Sequence, residues 1–147
     1  MEREELEGIL EKYGVKAAYI FGSQKEKGVA FLSGQEPVKA DMDSDLDVGV
    51  VFANLPSCRI EVYSQLYVAL NKFFGPFDVD LVFLQETDIF LQYQAIKGEI
   101  VYCADRFFVE EYEERIVKQA ADLMYKKTGF QKDFFEAVKN GYFRIEC

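Results

Sequence analysis

The stretch that decides the fold is Asp45-Leu46-Asp47-Val48-Gly49-Val50-Val51-Phe52, in which two carboxylates stand at the head of a run of apolar residues. The run predicts a β-strand, and successive side chains of a strand point to opposite faces. Asp45 and Asp47 are two residues apart, so both project from the same face of this strand. Two aligned carboxylates can share a metal ion. The stretch therefore predicts a strand that carries part of a metal site.

A second acidic strand offers a third carboxylate. Residues 78–84 read Asp-Val-Asp-Leu-Val-Phe-Leu, and pairing with the first strand would bring Asp80 alongside the aspartate pair. Asp78 shares the predicted face of Asp80, so the sequence leaves a choice between them. Another Asp-x-Asp pair, at residues 41 and 43, lies in loop-like sequence and is less favoured. Three carboxylates would form an oxygen-rich site suited to Mg²⁺, which indicates metal-assisted phosphoryl chemistry.

The dipeptide Gly22-Ser23 follows a third predicted strand. Residues 15–21 are rich in β-branched and aromatic side chains and run directly into it. In isolation Gly-Ser is a common turn. At the end of a strand, and together with the aspartates, a functional role is the favoured interpretation.

Composition excludes several classes of function. The chain has 147 residues, half of them apolar, which predicts one domain with a sizeable core. With 17 basic and 26 acidic residues the formal charge is −9, which argues against direct binding to nucleic acid, where cations supply most of the affinity. The absence of histidine removes Ser/His and Cys/His nucleophile pairs. No apolar run is long enough to span a membrane and the N-terminus is acidic, unlike a secretory leader, so we expect a cytoplasmic protein.

The remaining pattern predicts a single domain over residues 1–147, with a core at about 1–104 and a helical extension at 105–147. Apolar spacing indicates helices at 2–13, 57–74, 88–97, 106–127 and 130–143, and a last strand at 99–103. Residues 24–44 predict a long loop, whose apolar tetrad at 29–32 forms a short hairpin or contacts a partner. The fold class expected from this order is α/β (α+β), a small mixed β-sheet packed against helices.

The three motifs together resemble a known signature. Gly22-Ser23, Ser44-Asp45-Leu46-Asp47 and Val79-Asp80-Leu81-Val82 are similar to the motifs of the nucleotidyltransferase superfamily that includes DNA polymerase beta. More narrowly, they resemble the minimal nucleotidyltransferase (MNT) proteins, the antitoxin halves of HEPN/MNT toxin–antitoxin pairs. The resemblance covers about residues 1–125. Two features depart from the usual pattern: the 21 residues between the serine and the first aspartate form a longer spacing, and Gln24 stands where an arginine is often found.

The resemblance implies a fold, a chemistry and a partner. By carry-over, Asp45, Asp47 and Asp80 would bind two Mg²⁺ ions, and Gly22 and Ser23 would bind the β and γ phosphates of a nucleoside triphosphate. Attack at the α phosphorus would transfer a nucleoside monophosphate, most simply AMP from ATP, to a hydroxyl. The resemblance implies that this acceptor is a tyrosine of a HEPN-type toxin. The alternative is a non-catalytic module of the same fold that neutralises a partner by binding.

Overall fold

The computed structural model describes residues 2–34 and 45–128. Within these ranges the strands are β1 (Val15–Phe21), β2 (Leu46–Phe52), β3 (Val79–Phe83) and β4 (Glu99–Cys103). The helices are α1 (Glu2–Lys12), α2 (Lys25–Leu32), α3 (Arg59–Phe74), α4 (Ile89–Ile96) and α5 (Arg106–Thr128), and one 3-10 turn spans Leu84–Glu86. The predicted strands and helices that fall within these ranges are confirmed to within about two residues, the usual scatter of helix and strand ends.

The four strands form one mixed sheet in the order β3-β2-β1-β4. β1 is antiparallel to both β2 and β4, whereas β2 and β3 run parallel. A parallel pair needs a crossover connection, and α3 provides it between β2 and β3. The mixed α/β architecture agrees with the predicted fold class.

Alternation along β2 separates two buried layers. Leu46, Val48, Val50 and Phe52 pack on the side of α1 and α3. Val51 packs in the second cluster, on the side of α4 and α5. Because side chains alternate along a strand, Asp47 projects on the side of this second layer. Asp47 therefore lies on the same side of the sheet as α4 and α5.

The prediction of a loop over 24–44 is wrong for its first part, because residues 25–32 form α2. Two residues of the apolar tetrad, Phe31 and Leu32, attach this helix to the core. The ring of Phe31 lies 5.7 Å from the rings of both Phe73 and Phe74, and Leu32 is buried. These long-range contacts outweigh the low helix propensity of Gly28. The rest of the predicted loop, at 35–44, lies outside the described residues.

Two hydrogen bonds between buried side chains attach α5 to the rest of the domain. The Tyr19 hydroxyl donates to Glu113 Oε2 at 2.7 Å, and the Tyr112 hydroxyl donates to Gln92 Oε1 at 2.8 Å. The helix predicted at 130–143 lies outside the described residues. None of the described helices has the length and apolarity required to cross a bilayer.

Candidate active site

The sheet register brings two of the predicted aspartates together. In the parallel pairing of β2 and β3, Asp47 is the partner of Asp80, so the two side chains project from the same face. The two carboxyl groups lie close enough for Asp80 to act on the pKa of Asp47 through its charge and through hydrogen bonding. Asp78 lies before the start of β3. Of the two aspartates between which the sequence left a choice, Asp80 is therefore the one that lies opposite Asp47.

The contact between these carboxyl groups changes the acid strength of Asp47. Its pKa is raised from 3.8 to about 6, first by burial, then by the charge of Asp80, by a hydrogen bond that protonated Asp47 donates to Asp80, and by the charge of Asp45. Two carboxylates in contact cannot both ionise freely, so the pair retains a proton to a higher pH than an isolated aspartate.

Asp45 stands at the edge of this pair. It is exposed, immediately precedes β2, and acts on Asp47 through its charge. Among the described residues, no three acidic, cysteine or histidine side chains converge tightly enough to form a metal-binding group as they stand. The geometry therefore shows a two-carboxylate centre, Asp47 with Asp80, and a third carboxylate two residues away along the chain.

Gly22 lies directly against this centre. It has a φ of +83°, a left-handed conformation that glycine adopts without steric cost. A Cβ atom built on Gly22 would overlap Oδ2 of Asp47. The neighbouring Ser23 is exposed, and the chain then turns into α2 through a hydrogen bond from the Lys25 N–H to the Gly22 carbonyl at 3.3 Å. The Gly-Ser bend and the aspartate pair thus occupy one end of the sheet.

Gln24 is a residue of this region that sequence reasoning missed. It is only 4 % exposed, and its buried Oε1 has no hydrogen-bond partner within the described part of the chain. The sequence identified it as the position of an absent arginine, and no local signal predicts its burial. Lys25, the next residue and the first of α2, lines a cleft of about 310 Å³ between α2 and Glu99 of β4.

Side chains of α3 form a second feature that the sequence did not reveal. Asn71 Oδ1 accepts a hydrogen bond from the Val79 N–H at 2.9 Å, and the Tyr63 hydroxyl donates to the Leu81 carbonyl at 2.9 Å. Burial, followed by the charge of Asp80, raises the pKa of Tyr63. The charge effect shows that this hydroxyl and the Asp80 carboxylate lie near each other.

The mixed sheet has paired aspartates at the start of two parallel strands and a Gly-Ser bend after the neighbouring antiparallel strand. This combination is typical of the nucleotidyltransferase class of α/β domains. The chain belongs to the polymerase beta, nucleotidyltransferase family, whose model matches residues 4–107. The matched range contains all five residues that the motifs singled out. A search of curated proteins finds no significant match.

Solved structures with a similar fold are toxin–antitoxin complexes. A chain from a toxin–antitoxin crystal structure with AMP-PNP aligns with a TM-score of 0.60 and 19% identity, over 92% of this chain and 99% of that one. A chain of the tri-AMPylated Shewanella oneidensis HEPN toxin in complex with MNT antitoxin aligns with a TM-score of 0.57 and 18% identity, over 91% and 96%. The MntA–HepT complex gives a TM-score of 0.57 and 18% identity, over 91% and 97%.

Proposed function

We propose that this protein is a Mg²⁺-dependent nucleotidyltransferase that transfers AMP from ATP to a tyrosine hydroxyl of a HEPN-type partner toxin, and thereby acts as an antitoxin. The observation that carries the proposal is the contact between Asp47 and Asp80 beside Gly22. Membership of the nucleotidyltransferase family supports the reaction class.

The donor set fits a divalent cation. The oxygens of Asp47 and Asp80 are hard ligands of the kind Mg²⁺ prefers. The raised pKa of Asp47 reflects its burial first, and then the repulsion between the two carboxyl groups. A cation that replaced their shared proton would remove this repulsion. Asp45, close enough for its charge to act on Asp47, is the proposed third ligand, and together the three would hold two Mg²⁺ ions. When bound, such ions stabilise negative charge on the attacking and leaving oxygens of an in-line displacement.

The residues of this chain have distinct proposed roles in the transfer. The missing side chain of Gly22 lets phosphate oxygens approach the backbone, and the exposed Ser23 hydroxyl donates to the β and γ phosphates. Asp80 accepts the proton of the attacking hydroxyl at a carboxylate oxygen. A bond forms between the acceptor oxygen and the α phosphorus, the α–β bridging bond breaks, and pyrophosphate leaves. Asp80 suits this role because it is exposed, whereas Asp47 is half-buried.

The structural relatives support the choice of partner. One similar chain belongs to a complex of an MNT antitoxin with an AMPylated HEPN toxin, and another to a toxin–antitoxin complex with AMP-PNP. Both alignments extend over more than nine-tenths of this chain. A hydroxyl on a partner protein is also a suitable acceptor because Asp45 and Asp80 lie exposed at the end of the sheet.

A second candidate function is neutralisation of a partner by binding alone. Two observations favour it: within the described residues the three aspartates do not converge into a ready metal-binding group, and a buried glutamine occupies the position after Ser23. In this case the fold serves as a docking module and the site transfers nothing.

One experiment separates the two candidates. The purified protein is incubated with Mg²⁺, ATP labelled at the α phosphate, and the HEPN protein encoded by the adjacent gene. We expect label on the toxin, lost on chelation and reduced at least about 100-fold by Asp47→Asn, because the lost carboxylate belongs to the group that stabilises the transition state. The variant Asp78→Asn removes the same charge from a residue outside the pair and should retain activity.

The outcomes differ clearly. If the wild-type protein transfers no label, and Asp47→Asn neutralises the toxin as well as the wild type, the binding module is correct. If Asp78→Asn loses as much activity as Asp47→Asn, net charge near the site, rather than the Asp47–Asp80 pair, is responsible.

A further inference from the structure

The strand that carries Asp80 lies at the edge of the sheet. Among the described strands, in the order β3-β2-β1-β4, β3 pairs only with β2. Main-chain groups of an edge strand that face away from the sheet lack a strand partner. The Leu46 N–H donates to the Asp78 carbonyl at 2.8 Å, so Asp78, and by alternation Asp80, direct their main-chain groups towards β2. Val79 and Leu81, the two neighbours of Asp80, face the open edge.

Two side chains of α3 occupy that open edge, one on each side of Asp80. Asn71 Oδ1 accepts from the N–H of Val79 at 2.9 Å, and the Tyr63 hydroxyl donates to the carbonyl of Leu81 at 2.9 Å. Within residues 2–34 and 45–128, these two side chains take the place of a second strand partner for β3. As a result, the segment that carries Asp80 is hydrogen-bonded on both edges.

Both contacting side chains are held in place by other groups. The Asn71 amide nitrogen donates to the Tyr67 carbonyl at 2.9 Å, which fixes the amide orientation that directs Oδ1 towards β3. The Tyr63 ring is stacked on the Tyr67 ring, with centroids 6.0 Å apart and planes 13° apart. The centroid of the Tyr63 ring also lies 5.4 Å from that of the Phe83 ring of β3, with the two planes inclined at 63°. Such support is what a residue needs if it is to position another group to within a fraction of an ångström.

We propose that Tyr63 and Asn71 are positioning residues, which hold Asp80 opposite Asp47 by bonding the residues on either side of it. The consequence for the reaction rests on the proposed function, whereas the effect on β3 and on cation binding does not. Loss of either hydrogen bond leaves both carboxylates in the chain, but the distance between the Asp47 and Asp80 carboxyl groups is then less tightly fixed. Cation affinity and kcat should fall, and the KM for ATP should change little, because neither residue belongs to the Gly-Ser bend.

The test uses Tyr63→Phe, which removes one hydroxyl, and Asn71→Leu, which removes the acceptor at similar size. Tyr67→Phe is the matched control, since it removes a hydroxyl from the neighbouring ring and keeps the stacking. We expect each test variant to weaken Mn²⁺ binding, measured by calorimetry, by about fivefold to tenfold, the equivalent of one hydrogen bond. A similar loss should appear in kcat, with the KM for ATP within about twofold of the wild type. The control should match the wild type.

Amide hydrogen exchange supplies a readout independent of activity. The Asp80 amide, which faces β2 and is not a partner of either side chain, should exchange faster in both test variants than in the control. The proposal is overturned if Mn²⁺ affinity and Asp80 exchange are unchanged in Tyr63→Phe, or if Tyr67→Phe has the same effect. A wild-type protein that binds Mn²⁺ but transfers no label overturns only the proposed function. A wild-type protein that binds no Mn²⁺ overturns both.

Discussion

Replacement of Asp47 by asparagine should make the protein more stable and inactive at the same time. The pKa of Asp47 is raised from 3.8 to about 6 in the folded protein. An acid whose pKa is raised on folding loses its proton more readily in the unfolded state. The resulting cost to stability is absent below about pH 4, grows as the pH rises to about 6, and is fully present above that. The Asp47→Asn variant carries no such cost, because its amide does not ionise.

The size of the effect follows from the pKa change. At 1.36 kcal/mol per pKa unit the cost would be at most about 3 kcal/mol. Because Asp47 is only partly buried, solvent screening lowers this to about 1 kcal/mol. For a domain of this size, 1 kcal/mol corresponds to a rise in Tm of about 3 to 4 °C. We therefore expect Asp47→Asn to match the wild type at pH 3.5 and to exceed it by about 3 °C at pH 7.5.

The assay is thermal and urea unfolding in a chelator at both pH values, then with added Mg²⁺. A cation that binds only the folded wild type stabilises it by about 2.7 kcal/mol at 100 times its dissociation constant, so Mg²⁺ should reverse the order of stability at pH 7.5. Asp122→Asn, an exposed position on α5, controls for net charge. The reasoning is refuted if Asp47→Asn gains no stability at pH 7.5, gains the same at pH 3.5, or is stabilised by Mg²⁺ as strongly as the wild type.

Three further substitutions test other parts of the structure. Gly22→Ala should abolish nucleotidyl transfer and lower the free energy of unfolding by at least about 1 kcal/mol, because the left-handed backbone disfavours alanine and the new methyl group would overlap the Asp47 carboxylate. Urea unfolding measures the stability and the transfer assay measures the activity. An active variant of wild-type stability would contradict the contact between Gly22 and Asp47. Tyr19→Phe should cost about 2 kcal/mol at pH 8 by removing a hydrogen bond to a buried carboxyl. Burial raises the pKa of Glu113, so this cost should be smaller at pH 4, where the group is protonated, and equal costs at both pH values would contradict an ionised acceptor. Asp88→Ala removes the N-cap of α4 and should cost about 1 kcal/mol in urea unfolding with no loss of transfer activity.

Some features of the site follow from local patterns. Runs rich in apolar, β-branched and aromatic residues predicted β1, β2 and β4 within narrow limits, and the period-two rule for strands assigned Asp45 and Asp47 to one face. The position of Gly22-Ser23 at a strand end likewise follows from the residues next to it in the chain. The structure adds the positive φ of the glycine. The N-cap at Asp88 is also local, because its side chain accepts a hydrogen bond from the N–H of Leu91, three residues later.

Other features depend on residues far apart in the chain, and no short stretch contains them. α2 forms because Phe31 packs on aromatic residues about forty positions later, and the local sequence favoured a loop. Asp80 rather than Asp78 faces Asp47 because of the register between β2 and β3.

The sequence alone determined the local features: the apolar runs that form strands, two aspartates two residues apart, and a Gly-Ser bend directly after a strand. The tertiary structure alone decided that Gly22 touches Asp47, that Gln24 is buried, and that Tyr63 and Asn71 close the edge beside Asp80. The physical reason is the distance along the chain over which the interactions act. Strand periodicity arises from neighbouring backbone geometry, whereas burial, register and hydrogen bonds between elements arise from the packing of segments that only the fold brings together.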